Sequence, residues 1–165
     1  PNGLGVCRCL HAGYTVTCQG AGMQTIEEHV HHLYWDHDIN CARTTLMYLA
    51  QYFKIPLNDQ TLQAAIGMHG GGGFGAQCGL VEGSLMFLGI YCARMGLSDA
   101  LISKLCFSYA QAFISTFSSL ECSVLRPGGF QRSDPPHLCE GLTVRAIAFT
   151  RDFIEDFSHA TKPVD

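Results

Sequence analysis

Four cysteines fall where this sequence changes direction. Cys41 stands at the start of one expected helix and Cys78 at the start of another, directly after a glycine run. Cys122 lies just past a long apolar helix, and Cys139 in the first turn of the last one. The free amides and dipole of a helix start favour negative charge, so a thiol there is a better nucleophile and metal ligand than one buried mid-helix. Cys78 is the candidate reactive thiolate on that ground. Cys92 and Cys106 sit inside apolar segments and read as core packing. Four thiols so far apart in the chain cannot form a zinc knuckle, whose ligands come in close Cys-x-x-Cys pairs. They can still converge in space, and three outcomes stay open. The four can ligate zinc or, around a larger object, an iron–sulfur cluster; they can cycle as dithiols and disulfides; or they can be scattered core residues.

The neighbours of these cysteines extend the candidate site. Gly71, Gly72, Gly73, Gly75 and Gly79 are the candidate cofactor-binding residues. Bare amides ahead of a helix can form a nest for a sulfide, a thiolate or a phosphate, the plain alternative being a turn between helices. No Walker lysine follows, so nucleotide hydrolysis is not expected. Gly79 and Gly83 are four apart on one helical face and permit close approach by another helix or a cofactor. Glu82 follows Cys78 by about one turn; it is either a proton acceptor or auxiliary ligand, or half of a buried pair with Arg43 or Arg145. His69 and His137 flank the cysteine positions and are expected as donors to a thiolate or cluster sulfur. His29 and His32 share a face of the first helix, close to His31 and His37. No acidic residue completes a metal motif there, and a solvated polar face is the plain reading.

The elements that must carry these residues read as helices throughout. The pattern predicts helices over 24–36, 40–53 with Asn40 as N-cap, 58–67 with Asn58 as N-cap, 78–95, 98–118 and 134–157. The chain is thus an all-α, compact bundle of about five to six helices with a glycine-rich loop before the central, nearly all-apolar one. Gly96 follows that helix where a left-handed cap belongs. No strand or hairpin signal competes. Residues 1–22 show neither period, and Met23 opens the helical pattern as a start codon would. Residues 1–22 are therefore expected to be an irregular and non-native extension carrying Cys7, Cys9 and Cys18, and 23–160 a single helical redox domain. Cys7-Arg8-Cys9-Leu10-His11 misses the Cys-x-x-Cys-His spacing of covalent haem.

The run Cys78-Gly79-Leu80-Val81-Glu82-Gly83, with Asn40-Cys41-Ala42 before it and Glu121-Cys122 and Leu138-Cys139 after it, resembles the redox-active family named for its C-GCAxxG-C-C cysteine pattern. The resemblance extends over about Ile39 to Phe153. Leu80 replaces the family's alanine, while the cysteine and both glycines of the central motif are kept. The resemblance implies a small helical protein with a four-cysteine redox site, often encoded near transporter genes. A related domain in split-Soret cytochrome c carries an iron–sulfur centre. Expected on this basis is an iron–sulfur cluster on Cys41, Cys78, Cys122 and Cys139, serving electron transfer or redox sensing. A thiol–disulfide oxidoreductase and a non-catalytic, zinc-stabilised accessory protein of a transporter are the alternatives, and no cofactor at all remains open.

Composition sets the outer bounds. The chain has 165 residues, one domain's worth, with 47% hydrophobic and only 15% charged residues, against roughly 25% charged in an ordinary soluble domain. So much apolar surface predicts a homodimer, and the family resemblance implies a redox or transporter-associated protein as a further partner. The net charge of -4 argues against nucleic acid, which a basic stripe would recognise. Nine cysteines are an odd number and too few for a secreted disulfide scaffold. With no signal-like start, the expected location is the cytoplasm. Lys104, Gln111 and Glu82 interrupt the two most apolar segments, so membrane insertion is not expected.

Overall fold

The computed structural model describes residues 24–160, and the backbone of Leu10–His11 and Tyr14–Thr15. Those two short pieces pair as antiparallel strands, Leu10 opposite Thr15 and His11 opposite Tyr14, a feature that no period in the sequence announced. The expectations for the rest of residues 1–22, and for a start at Met23, lie outside the described residues.

Seven helices are present among the described residues, in an all-α bundle. Helix α1, Ile26–His31, begins in a capping box. Thr25 Oγ1 accepts from the Glu28 amide and Glu28 Oε2 accepts from the Thr25 amide. It widens into a π turn over His32–Asp36. Helix α2, Cys41–Tyr52, is capped by Asn40, whose Oδ1 accepts from the Arg43 amide at 3.0 Å. Helix α3, Asp59–Ala64, is capped by Asn58. The central α4 spans Gly79–Arg94, α5 Asp99–Phe117, and the last helix, α7, Glu140–Ala160. A four-residue α6, Cys122–Leu125, is the one helix that periodicity could not detect. A 3₁₀ turn, Pro136–Cys139, leads into α7, so Cys139 ends that turn rather than lying within the helix.

Helix α4 is apolar all round because it is enclosed within its own chain. It packs on α2, α5 and α7 and buries Leu80, Val81, Gly83, Ser84, Phe87, Leu88 and Cys92. The core between α5 and α7 is aromatic, with Tyr109 and Phe113 meeting Phe149 and Phe153. Its hydroxyls are mutually satisfied. Thr150 Oγ1 lies 2.8 Å from Tyr109 Oη and 2.9 Å from Ser84 Oγ, and donates to the Ala146 carbonyl. The outer face of α5 leaves Leu101, Phe107 and Ile114 exposed. No helix among the described residues is long and apolar enough to cross a membrane.

Candidate functional site

Four consecutive glycines make the turn that shapes this region. Gly70 to Gly73 all have positive φ, and Gly71 and Gly72 lie in the left-handed helical region at φ 60, ψ 56 and φ 73, ψ 27. A side chain costs roughly 1–2 kcal/mol per residue there, so only glycine holds such a turn without strain. The turn ends at Gly75, whose carbonyl accepts from the Ser123 amide. A short bridge between Gln77 and Glu121 then zips two segments together, with Cys78 N donating to Leu120 O at 2.7 Å and Cys122 N to Ala76 O at 2.6 Å. This bridge holds Cys78 and Cys122 on two adjoining, hydrogen-bonded segments.

The other two cysteines arrive on separate elements. Cys41 is the first residue of α2, and a Cβ on Gly79 would collide with its Sγ and come within 2.6 Å of the Met68 carbonyl oxygen. Likewise, a Cβ on Gly70 would lie 3.3 Å from Cys122 Sγ. Two of the glycines thus exist as glycines because sulfur occupies the space beside them. Cys78, Cys122 and Cys139 are 4%, 7% and 9% exposed, and Cys41 is half-buried.

The four thiols act on one another. Burial and then the nearby Cys139 and Cys122 push Cys41 up to about 12. Cys78 is raised by donating its hydrogen bond to Cys122, then by burial and by Cys41. Burial raises Cys139, against the pull of Arg126. Cys122 alone is lowered, first by the hydrogen bond it accepts from Cys78 and, against burial, by the Arg126 guanidinium. The acid of this pair is therefore Cys122. At Cys78, where the helix start led to the expectation of a stabilised thiolate, burial and a donated hydrogen bond act in the opposite direction, and Cys122 is the one of the four that is lowered.

The remaining sequence candidates divide. Glu82 reaches Cys122 electrostatically, and its Oε2 is buried without a partner while burial raises its carboxyl. No ion pair joins it to Arg43 or Arg145 among the described residues. His69 is exposed, its Nε2 3.5 Å from where a Gly73 Cβ would be. His137 stacks on Trp35 at 4.0 Å, and Trp35 Nε1 donates to Glu140. Neither histidine donates to a thiol. His29 is not on a solvated face; it is buried edge-on against Tyr48, and burial lowers it to about 4. His32 instead contacts Asp36 and His37. Cys92 is fully buried and Cys106 half-buried, both raised by burial, as core residues should be. Among the described residues, no three His, Cys, Asp or Glu side chains are gathered to hold one metal ion.

Two residues that interact with the cysteines were not among the sequence candidates. Tyr34, fully buried with its hydroxyl 2.6 Å from Thr143 Oγ1, is raised by burial and then by Cys41, with Cys139 and Cys78 adding to it. Nothing in its local sequence marks it. Arg126 follows Cys122 by one helical turn, a spacing that could have flagged a cation beside the thiol.

A family model described as "Putative redox-active protein (C_GCAxxG_C_C)" matches residues 39–153. The chain belongs to this family. The matched span contains Cys41, Cys78, Cys122 and Cys139. No curated protein and no solved structure matches the chain.

Proposed function

We propose that Cys41, Cys78, Cys122 and Cys139 hold an iron–sulfur cluster and that this family member serves electron transfer or redox sensing through it. The observation that carries the reading is the packing of cysteines from separate segments around the glycine turn, with Cys41 Sγ against Gly79, Cys122 Sγ against Gly70, and Cys78, Cys122 and Cys139 buried. The mutual influence of all four thiols supports it. As free thiols, three of the four are raised and shielded and hence poor nucleophiles at neutral pH. As metal ligands they lose their protons outright, and a soft all-sulfur donor set suits iron–sulfur clusters. Bound there, a cluster supplies one-electron exchange. Around it the chain contributes a glycine turn free of side chains, the Tyr34 hydroxyl and the Arg126 charge. We place this centre in a cytoplasmic homodimer that meets a partner redox protein; the exposed apolar face of α5 supports the dimer.

The Cys78–Cys122 pair favours a second reading, thiol–disulfide exchange. The Cys122 thiolate would attack a disulfide of a partner, forming a mixed disulfide and releasing one partner thiolate. Cys78 would then attack Cys122 Sγ, giving its proton to the departing thiolate. The partner disulfide is reduced to two thiols and the protein dithiol oxidised to Cys78–Cys122. Anaerobic purification or reconstitution with iron and sulfide separates the readings. Visible absorption with stoichiometric iron and sulfide is expected. Colourless protein that retains neither would overturn the cluster, and two thiols of glutathione released per chain from glutathione disulfide would then support the exchange reading.

A further inference from the structure

The loop between α6 and α7 delivers one cation to the sulfur centre. Arg126 closes α6, its amide donating to the Cys122 carbonyl at 2.9 Å, and its side chain is only 9% exposed. Its guanidinium donates to the Pro135 carbonyl at 2.9 Å and stands with Nε 3.3 Å from Asp134 Oδ2. The same plane lies over the Phe130 ring, and Phe130 packs where a Gly75 Cβ would be. Asp134 is itself held, accepting from the Gln131 amide at 3.2 Å. The loop thus closes around a guanidinium that stands one helical turn from Cys122, on the same face of α6, and its charge favours the thiolates of Cys122 and Cys139.

So firm a hold is more than a loop needs for its own closure. A partly buried arginine with a single carboxylate partner is an expensive brace unless its charge is used. Arginine remains protonated at any working pH, and its fork suits one fixed orientation. Adding an electron to a centre makes it more negative, so a fixed positive charge nearby favours the reduced form, while a carboxylate on the far side of that charge opposes it.

We propose that Arg126 is a positioning residue that sets the reduction potential of the four-cysteine centre, with Asp134 as the counterweight that limits its effect. The proposal rests on the redox reading of the same cysteines. It predicts opposite signs for two substitutions that break the same ion pair, which a structural brace cannot give.

The experiment is a redox titration, followed by visible absorption and electron paramagnetic resonance, of reconstituted wild-type, Arg126→Gln, Arg126→Lys and Asp134→Asn proteins, each checked for native helical content. Arg126→Gln is expected to lower the equilibrium constant for reduction at least tenfold, about 59 mV for a one-electron couple. Asp134→Asn is expected to raise it, and Arg126→Lys to stay within threefold of wild type. Shifts of the same sign in Arg126→Gln and Asp134→Asn, or no shift in either, would overturn the assignment. If the wild-type protein takes up no iron, the cluster reading fails on that result alone. Arg126 is then judged on the metal-free dithiol equilibrated with glutathione and its disulfide, where Arg126→Gln should favour the Cys78–Cys122 disulfide about tenfold, and an unchanged ratio overturns it.

Discussion

Two neighbouring parts of one core differ in how they treat buried polar atoms. Between α4, α5 and α7, Ser84, Tyr109 and Thr150 satisfy one another and the Ala146 carbonyl within a frame of phenyl rings. Around the cysteines, burial is nearly as deep, yet Glu82 Oε2 and Arg126 Nε lack hydrogen-bond partners and three thiols are pushed away from ionisation. The first arrangement yields stability from packing. The second forgoes stability, which is what the proposed redox role of these cysteines would require.

Substitutions in the two parts should therefore have opposite signatures. Phe113→Ala removes a fully buried ring from the aromatic cluster and is expected to cost about 3–5 kcal/mol in denaturant unfolding. The molecules that remain folded should bind iron as wild type does. Cys78→Ser should leave the unfolding midpoint nearly unchanged and abolish iron and sulfide retention, because serine fits the space but is not a soft ligand. Equal loss of iron in both proteins would erase the distinction between the two parts.

A pH effect of similar size comes from His29, at the boundary between α1 and Tyr48. Its folded value of about 4, against an ordinary 6.5, means that the unfolded chain binds the extra proton first as pH falls. Stability is complete above about 6.5 and is lost progressively down to about 4, by roughly 3 kcal/mol in all. Unfolding titrations at pH 7 and pH 4 should show that loss in the wild type and a smaller one in His29→Gln. Equal losses in the two proteins would place the pH dependence elsewhere.

Glycines of the central helix sharpen the contrast within one element. At Gly79 an added Cβ strikes Cys41 Sγ and the Met68 carbonyl, whereas at Gly89 nothing lies within 4 Å. Gly79→Ala is expected to destabilise by about 1–3 kcal/mol and to weaken iron retention. Gly89→Ala should stabilise by about 0.5–1 kcal/mol through helix propensity alone. Thermal unfolding of the pair measures both signs, and stabilisation by Gly79→Ala would mean that the sulfur does not occupy the space beside it.

What the sequence made legible was the scaffold and the placing of cysteines at the ends of its elements, because both rest on local rules. Asn40 and Asn58 cap the helices that their side chains announced, Gly96 has the positive φ its position required, and the apolar run after Cys78 became the central helix. Local rules failed where long-range contact decides. The Gln77–Glu121 bridge joins residues far apart in the chain, and through it the lowered thiol is Cys122. Tyr34 reaches the cysteines from a histidine-rich stretch whose polar composition suggested solvent. Four-residue α6 is too short to show a period.

A further small effect is expected at the junction of scaffold and site, Asn40. Its Oδ1 caps α2, while its Nδ2 donates to the Ala65 and Ile66 carbonyls, at 3.2 and 2.9 Å, tying the end of α3 to the helix start that carries Cys41. Asn40→Ala removes both functions and should cost about 1–2 kcal/mol. Asn40→Asp keeps an oxygen for the cap, and its charge suits a helix N-terminus, but it cannot donate to the two carbonyls. Its stability should fall by no more than about 1 kcal/mol, a net of cap retained and ties lost. If the ties matter for the site and the cap for the scaffold, Asn40→Asp should lose iron faster than wild type in a chelator challenge despite its milder unfolding. Chelator rates that merely follow the stability order of the two variants would show that Asn40 serves the helix alone, and the boundary between scaffold and site would move to Cys41 itself.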